Sequence, residues 1–124
     1  MYNVEFYEDK NRQEPIVDLL KDLQEKGKTS KQARVRSEKI LQYIRILQEY
    51  GTRAGFPYVK NIDGELWELR PFTDRIFFFY YNEEGTFVLL HHFNKKTRKT
   101  PSKEIDQAKR NLKDHKERKE HHGN

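Results

Sequence analysis

Apolar residues in this chain change their period at one point, and that change fixes the fold class. Between Pro15 and Gly51 they recur at helical spacing, and from Pro57 onward they alternate with a period of two. Pro15 suits the first turn of a helix, where its missing N–H costs nothing. Ile16, Leu19, Leu20 and Leu23 follow on one face, and Gly27 is a natural stop. Ser30 caps a second, longer helix whose stripe is Ala33, Ser37, Ile40, Ile44 and Leu47, widened by Leu41 and Tyr43 and ended by Gly51. The link between the helices is short and polar, which predicts an antiparallel hairpin covering one face of a sheet.

Strands supply that sheet. Tyr2 to Tyr7 alternates, with Tyr2, Val4 and Phe6 on the buried side. Further strands are expected near Val59–Ile62, Leu66–Arg70, Arg75–Tyr81 and Phe87–Phe93. Asp63-Gly64 marks a tight hairpin, and Asn82-Glu83-Glu84-Gly85 marks a second turn. Lys95 to Pro101 reads as a basic loop. Ser102 caps a last helix carrying Ile105, Ala108 and Leu112. The expectation is a two-layered α+β fold: an N-terminal strand, an antiparallel two-helix hairpin, an antiparallel sheet of four or five strands, and a C-terminal helix. One domain spans residues 1–114. Residues 115–124 are almost wholly polar and are expected to fray, leaving His115, His121 and His122 inert.

Composition narrows the function. With 124 residues and no cysteine, disulfides, thiolate metal sites and cysteine nucleophiles are excluded. Only 34% of residues are hydrophobic, but 8 Phe and 7 Tyr allow a core of few, large side chains. No apolar run approaches the ~20 residues of a membrane span. Met1-Tyr2-Asn3-Val4-Glu5 does not begin a secretory signal, so a cytoplasmic location is expected. The formal charge is +5, and from Lys95 to Asn124 there are 11 Lys+Arg against 5 Asp+Glu. The positive excess thus lies in the last quarter of the chain. It serves either a polyanionic partner or solubility alone.

Strand alternation puts Leu66, Glu68 and Arg70 on one face and Trp67 and Leu69 on the other. Trp67 and Leu69 suit the helix hairpin, which leaves Glu68 and Arg70 on an uncovered face. If the next hairpin sets Arg75 beside Arg70, two guanidiniums share a patch. Glu68 would hold them together at rest, and a phosphate would replace it in use. The plainer alternative is a surface ion pair worth about 0–1 kcal/mol. His91 and His92 are adjacent in a strand, so they face opposite ways and cannot form one acid–base couple. One belongs at the core edge and the other in solvent. Metal ligation is not expected, since no third ligand has a recognisable spacing. Lys95-Lys96-Thr97-Arg98-Lys99 is anchored by Phe93 and suits backbone phosphates. Phe56, Tyr58 and Phe93 either stack on unpaired bases or pack in the core.

These residues resemble the RelE/ParE superfamily of toxins from bacterial toxin–antitoxin pairs, and within it the HigB-like branch. The likeness rests on Lys60-Asn61-Ile62, Gly64 to Arg70, Asp74 to Tyr80, Leu89 to Pro101 and Glu104 to Arg110. The resemblance implies a curved antiparallel sheet and metal-independent cleavage of mRNA, usually on the translating ribosome, with no cofactor. The RNA's own 2′-hydroxyl attacks the adjacent phosphate. Arg70 and Arg75 would then stabilise the transition state, and Lys60 or Glu68 would act as base. Lys95 and Lys96 would hold the scissile region and one would serve as acid. Arg98, Lys99, Lys103, Lys109 and Arg110 would grip RNA backbone. The implied partners are a HigA-like helix-turn-helix antitoxin, mRNA and the ribosome, with operator DNA reached only through the antitoxin. Two rivals share the fold or the charge: a gyrase-inhibiting toxin and a non-catalytic RNA-binding module. Some members carry a C-terminal tyrosine or a histidine–aspartate set as acid–base groups; the chain after Tyr81 has no tyrosine.

Overall fold

The computed structural model describes residues 1–81 and 84–122. Its elements run β1 (Asn3–Phe6), α1 (Pro15–Lys26), α2 (Lys31–Tyr50), β2 (Val59–Asp63), β3 (Leu66–Leu69), β4 (Asp74–Tyr81), β5 (Thr86–Asn94) and α3 (Ser102–His122). Pro15 opens α1 as expected. The Ser30 hydroxyl accepts from the Ala33 N–H at 3.2 Å, a cap worth about 1 kcal/mol. Gly51 ends α2 with φ +62°, and a Cβ there would sit 2.9 Å from the Tyr2 ring, so only glycine fits.

The five strands form one sheet in the order β1-β5-β4-β3-β2. β2 to β5 are an antiparallel meander, whereas β1 joins the edge of β5 in parallel, with Val4 opposite Phe87. The sheet is therefore mixed rather than purely antiparallel. The intervening helix hairpin carries the chain back across the sheet, which is what a parallel neighbour requires. The Asp63-Gly64 hairpin forms one residue later than expected. Asp63 pairs with Leu66, so Gly64 and Glu65 are the central residues, and Gly64 takes φ +58°. In the second turn, Asn82 and Glu83 lie outside the described residues; Gly85 N–H donates to the Tyr80 hydroxyl at 3.0 Å.

Two apolar clusters lie on opposite faces of the sheet. On one, Ile16, Leu23, Ile40 and Leu47 of the hairpin meet Leu69, Ile76, Phe78 and Leu89. Each fully buried side chain of this size contributes about 1.5–3 kcal/mol. On the other, Ala108 of α3 meets Leu66, Phe77, Phe79, Val88 and Leu90, with Ile105 and Leu112 alongside. The second face is thus covered by α3 over part of its area. The molecule has three layers, not two.

A bulge in β5 helps seat α3. Phe77 pairs with His91 and Phe78 with Leu89, so Leu90 has no opposite residue. The Leu90 carbonyl accepts from Asn111 Nδ2 at 2.9 Å, so this buried acceptor is satisfied from α3.

The expected fraying from His115 does not occur. α3 continues to His122, and His115 is only 6% exposed. Its ring packs edge-on to Phe79 and Tyr81 at 5.9 and 5.5 Å. Lys119 reaches Glu5 at 3.2 Å, and Lys116 pairs with Glu65. Ala108, Asn111 and His115 are spaced as one helical stripe, a signal masked in the sequence because two of the three are polar.

Candidate RNA-cleavage site

Five of the residues singled out from the sequence converge where β2, β3, β4 and the end of β5 meet. Lys60 lies directly across from Glu68 in the β2–β3 pair. Glu68 is 2% exposed. Arg70 leaves β3 with its N–H donated to the Tyr58 carbonyl at 2.9 Å. Arg70 Nε and Arg75 Nε each stand 3.7 Å from the same Glu68 oxygen, Oε1. That distance is an ion pair but too long for a hydrogen bond. On the other Glu68 oxygen, Oε2, the Thr100 hydroxyl donates at 3.3 Å, which draws the Lys95–Pro101 loop over the carboxylate.

The guanidiniums differ in how they are held. Arg75 is buried, and its Nη1 donates to the Phe72 carbonyl at 2.5 Å and the Asp74 carbonyl at 2.9 Å. Its Nε is buried with no hydrogen-bond partner among the described residues. Burial and then the Arg70 charge pull the Arg75 pKa down, against Glu68 and Asp74, which raise it. The group stays cationic all the same. Arg70 is more open and rests 5.3 Å from the Phe56 ring, which is itself 78% exposed.

Lys95 completes the cluster. Its backbone N–H donates to the Thr73 carbonyl at 2.6 Å. Desolvation, then the charges of Arg75 and Arg70 and, more weakly, Lys60, lower its pKa, with Glu68 opposing. Its ammonium is therefore a better proton donor than an ordinary lysine.

The remaining candidates separate. Lys96, Arg98 and Lys99 are exposed on the loop that Thr100 ties to Glu68, and Lys103 is exposed just after it at the start of α3. Lys109 pairs with Asp63 at 2.6 Å, and Arg110 donates to Gln107, farther along α3. Phe93 is buried and stacks on Phe77 at 5.8 Å, and Tyr58 packs on Tyr43 at 5.3 Å. Phe93 is a core residue and Tyr58 is half-buried against the core, which leaves Phe56 as the most exposed aromatic surface beside the arginines.

His91 and His92 split between faces as expected, but neither is exposed. His91 stacks on Phe77 at 6.1 Å and pairs with Glu104 of α3 at 3.0 Å. His92 lies opposite Ile76, where burial and then His91 lower its pKa. Sequence reading also missed Thr100 and the Arg36–Asp74 pair. Asp74 is 2% exposed and accepts from Arg36 Nε at 3.1 Å and Nη2 at 2.7 Å. Those two residues are far apart in the chain, and no motif links them.

A mixed five-stranded sheet with a helix hairpin on one face, a C-terminal helix on the other and arginines at the β3–β4 turn has the architecture of a RelE-like protein. Residues 27–113 match the family described as Phage derived protein Gp49-like (DUF891). The chain belongs to this Gp49-like family, a RelE-like family of toxins from toxin–antitoxin pairs, and membership implies an antitoxin partner. No curated protein matches the chain. Among the described residues no helix is long and apolar enough to cross a membrane.

Proposed function

We propose that this protein is a toxin of the HigB-like branch that inhibits translation in the cytoplasm by cutting mRNA, on the translating ribosome, without a metal. The observation that carries this reading is the Arg75 Nε. It is a buried cationic donor without a hydrogen-bond partner among the described residues, set with Arg70 around one carboxylate oxygen. A buried charged donor left unpaired is costly, so the site favours an anionic oxygen that can come closer than Glu68 does. A phosphodiester supplies such oxygens, and its pentavalent transition state carries more charge than its ground state. Fixed guanidiniums therefore stabilise the transition state preferentially.

In the proposed step, the 2′-oxygen bonds to phosphorus as its proton passes to a base, Glu68 or Lys60. The P–O5′ bond breaks, and Lys95 gives its proton to the leaving 5′-oxygen. The products are a 2′,3′-cyclic phosphate and a 5′-hydroxyl. Lys96, Arg98, Lys99 and Lys103 hold flanking phosphates, and Phe56 offers a base-stacking face. The partner that silences the toxin is a HigA-like helix-turn-helix antitoxin, through which the pair reaches operator DNA.

The test is a defined message carrying a single 2′-deoxy nucleotide at a mapped cut, incubated with and without ribosomes. Cleavage there is expected to stop while neighbouring cuts continue, and to persist with chelator. Unchanged cutting at the 2′-deoxy position would exclude 2′-hydroxyl attack.

A further inference from the structure

A groove of 790 Å³ lies away from Glu68, between the start of α2 and the loop after β3. Its apolar lining includes Leu23, Ala33, Val35, Pro71 and Phe72. Phe72 is 59% exposed and Val35 37% exposed, and the two line the same groove rather than standing singly. Phe72 also holds φ +59°, a backbone region that bulky residues rarely adopt. The Lys39 ammonium stands 4.8 Å over its ring.

The groove carries a net positive charge, with Lys31 and Lys39 as the cations that no carboxylate pairs among the described residues. Lys26, Lys31, Arg36 and Lys39 line it against a single carboxylate, Asp74, which Arg36 already binds through two nitrogens. Asp22 offsets Lys26 at 3.0 Å. The first turn of α2 opens onto the same groove and carries no acidic residue, so the positive end of the helix dipole is uncompensated there. Carboxylates fit this rim, and apolar side chains fit its floor. RNA would use the rim alone, and a second copy of this chain, at +5, brings the wrong sign.

We propose that this groove seats an acidic segment of the antitoxin, anchored by apolar side chains. Naming that partner as the antitoxin rests on the toxin reading; the groove's preference for an acidic, apolar segment does not. The seat is coupled to the arginine cluster by covalent chain. The carbonyls that hold Arg75 come from Phe72 of the loop and from Asp74, the first residue of β4, both of which line the groove. A segment docked here leaves Glu68 uncovered yet bears on the loop that positions Arg75.

The full-length protein is titrated into three fluorescein-labelled probes, read by anisotropy. They are an amphipathic peptide of leucine and glutamate at helical spacing, the same peptide with lysine for glutamate, and a single-stranded RNA. The acidic peptide is expected to bind with a salt-sensitive affinity. Val35→Glu and Lys39→Glu should each weaken it about tenfold while message cleavage stays at the wild-type rate. Val35 is exposed and Lys39 half-buried, and unaltered thermal melting shows that the variants fold. The proposal is overturned if both variants bind the acidic peptide like wild type, if the lysine peptide binds equally well, or if RNA displaces the peptide and is weakened by the same two substitutions. Absence of cleavage by the wild-type protein would sink the nuclease reading and leave the peptide result standing.

Discussion

Arg70→Ala and Arg75→Ala should separate catalysis from stability, because the two guanidiniums are built in differently. Arg70 makes only a 3.7 Å ion pair with Glu68 and a contact with the exposed Phe56 ring. Glu68 is buried, but Arg75 still faces it, so the loss of Arg70 costs about 1 kcal/mol of folding free energy. The net is closer to zero because Arg70 also repels Arg75. Arg75 donates to two backbone carbonyls at 2.5 and 2.9 Å and holds Phe72 in its left-handed conformation. Charge-assisted bonds of this kind are worth about 1.5–3 kcal/mol each and are not fully additive, so Arg75→Ala should cost roughly 2–4 kcal/mol. For cleavage, either change removes one cation from the transition state, a loss of about 3–4 kcal/mol or 10²–10³ in rate. Primer-extension mapping of 5′ ends on a defined message gives the rates, and urea denaturation gives the stabilities. Arg70→Ala is expected to be folded and nearly inactive, and Arg75→Ala inactive and destabilised. Wild-type cutting by Arg70→Ala would refute the transition-state role. Equal destabilisation by the two would refute the structural distinction.

Arg36→Met strips a buried carboxylate of its main partner. Because Arg36 is about a third exposed, the cost should fall below that of a fully buried pair, near 2–3 kcal/mol. A melting scan should show a drop of roughly 8–12 °C, and adding Asp74→Asn should recover part of it; full additivity would show that the pair is not coupled. Lys95→Gln should abolish the alkaline limb of the kcat/KM profile, which sits below the ordinary lysine range because desolvation and the neighbouring arginines depress that ammonium; an unchanged limb assigns the acid elsewhere. Burial, only partly offset by Glu5, lowers the His115 pKa below its unfolded value of 6.5. The unfolded chain therefore takes up a proton first as pH falls, and stability is full above about 6.5 and declines below it. Denaturant midpoints between pH 7.5 and 5 should drop less steeply in His115→Phe than in wild type. Equal slopes would mean that His115 does not contribute, leaving His92, whose pKa is lowered in the same sense, as the group responsible.

Much of the fold and part of the site were legible in residue order. Helical spacing with Pro15, Ser30 and Gly51 placed α1 and α2, and alternation placed β2 to β5, because local periodicity is dictated by which side chains must leave water together. Alternation also set Glu68 and Arg70 to one side of the sheet, and left Arg75 beside them conditional on the next hairpin. The convergence of both arginines on a single Glu68 oxygen was not legible, since it depends on the β3–β4 register, and neither was Thr100 reaching the other oxygen from a loop far along the chain. Phe93 and Tyr58 show the same limit. An aromatic side chain serves equally well as a stacking surface or as core, and only its neighbours decide.

Residue order by itself determined the elements, their sequence and the sign of the charge at the chain's end, because these follow from spacing and composition within a few turns or strands. Tertiary structure alone decided that β1 pairs in parallel, that α3 packs on the second face as far as His115, and that Arg36 neutralises Asp74. Each of those rests on contacts between segments distant in the chain. Their free energy depends on which partner is close enough to exclude water or accept a hydrogen bond, and no local pattern encodes that distance.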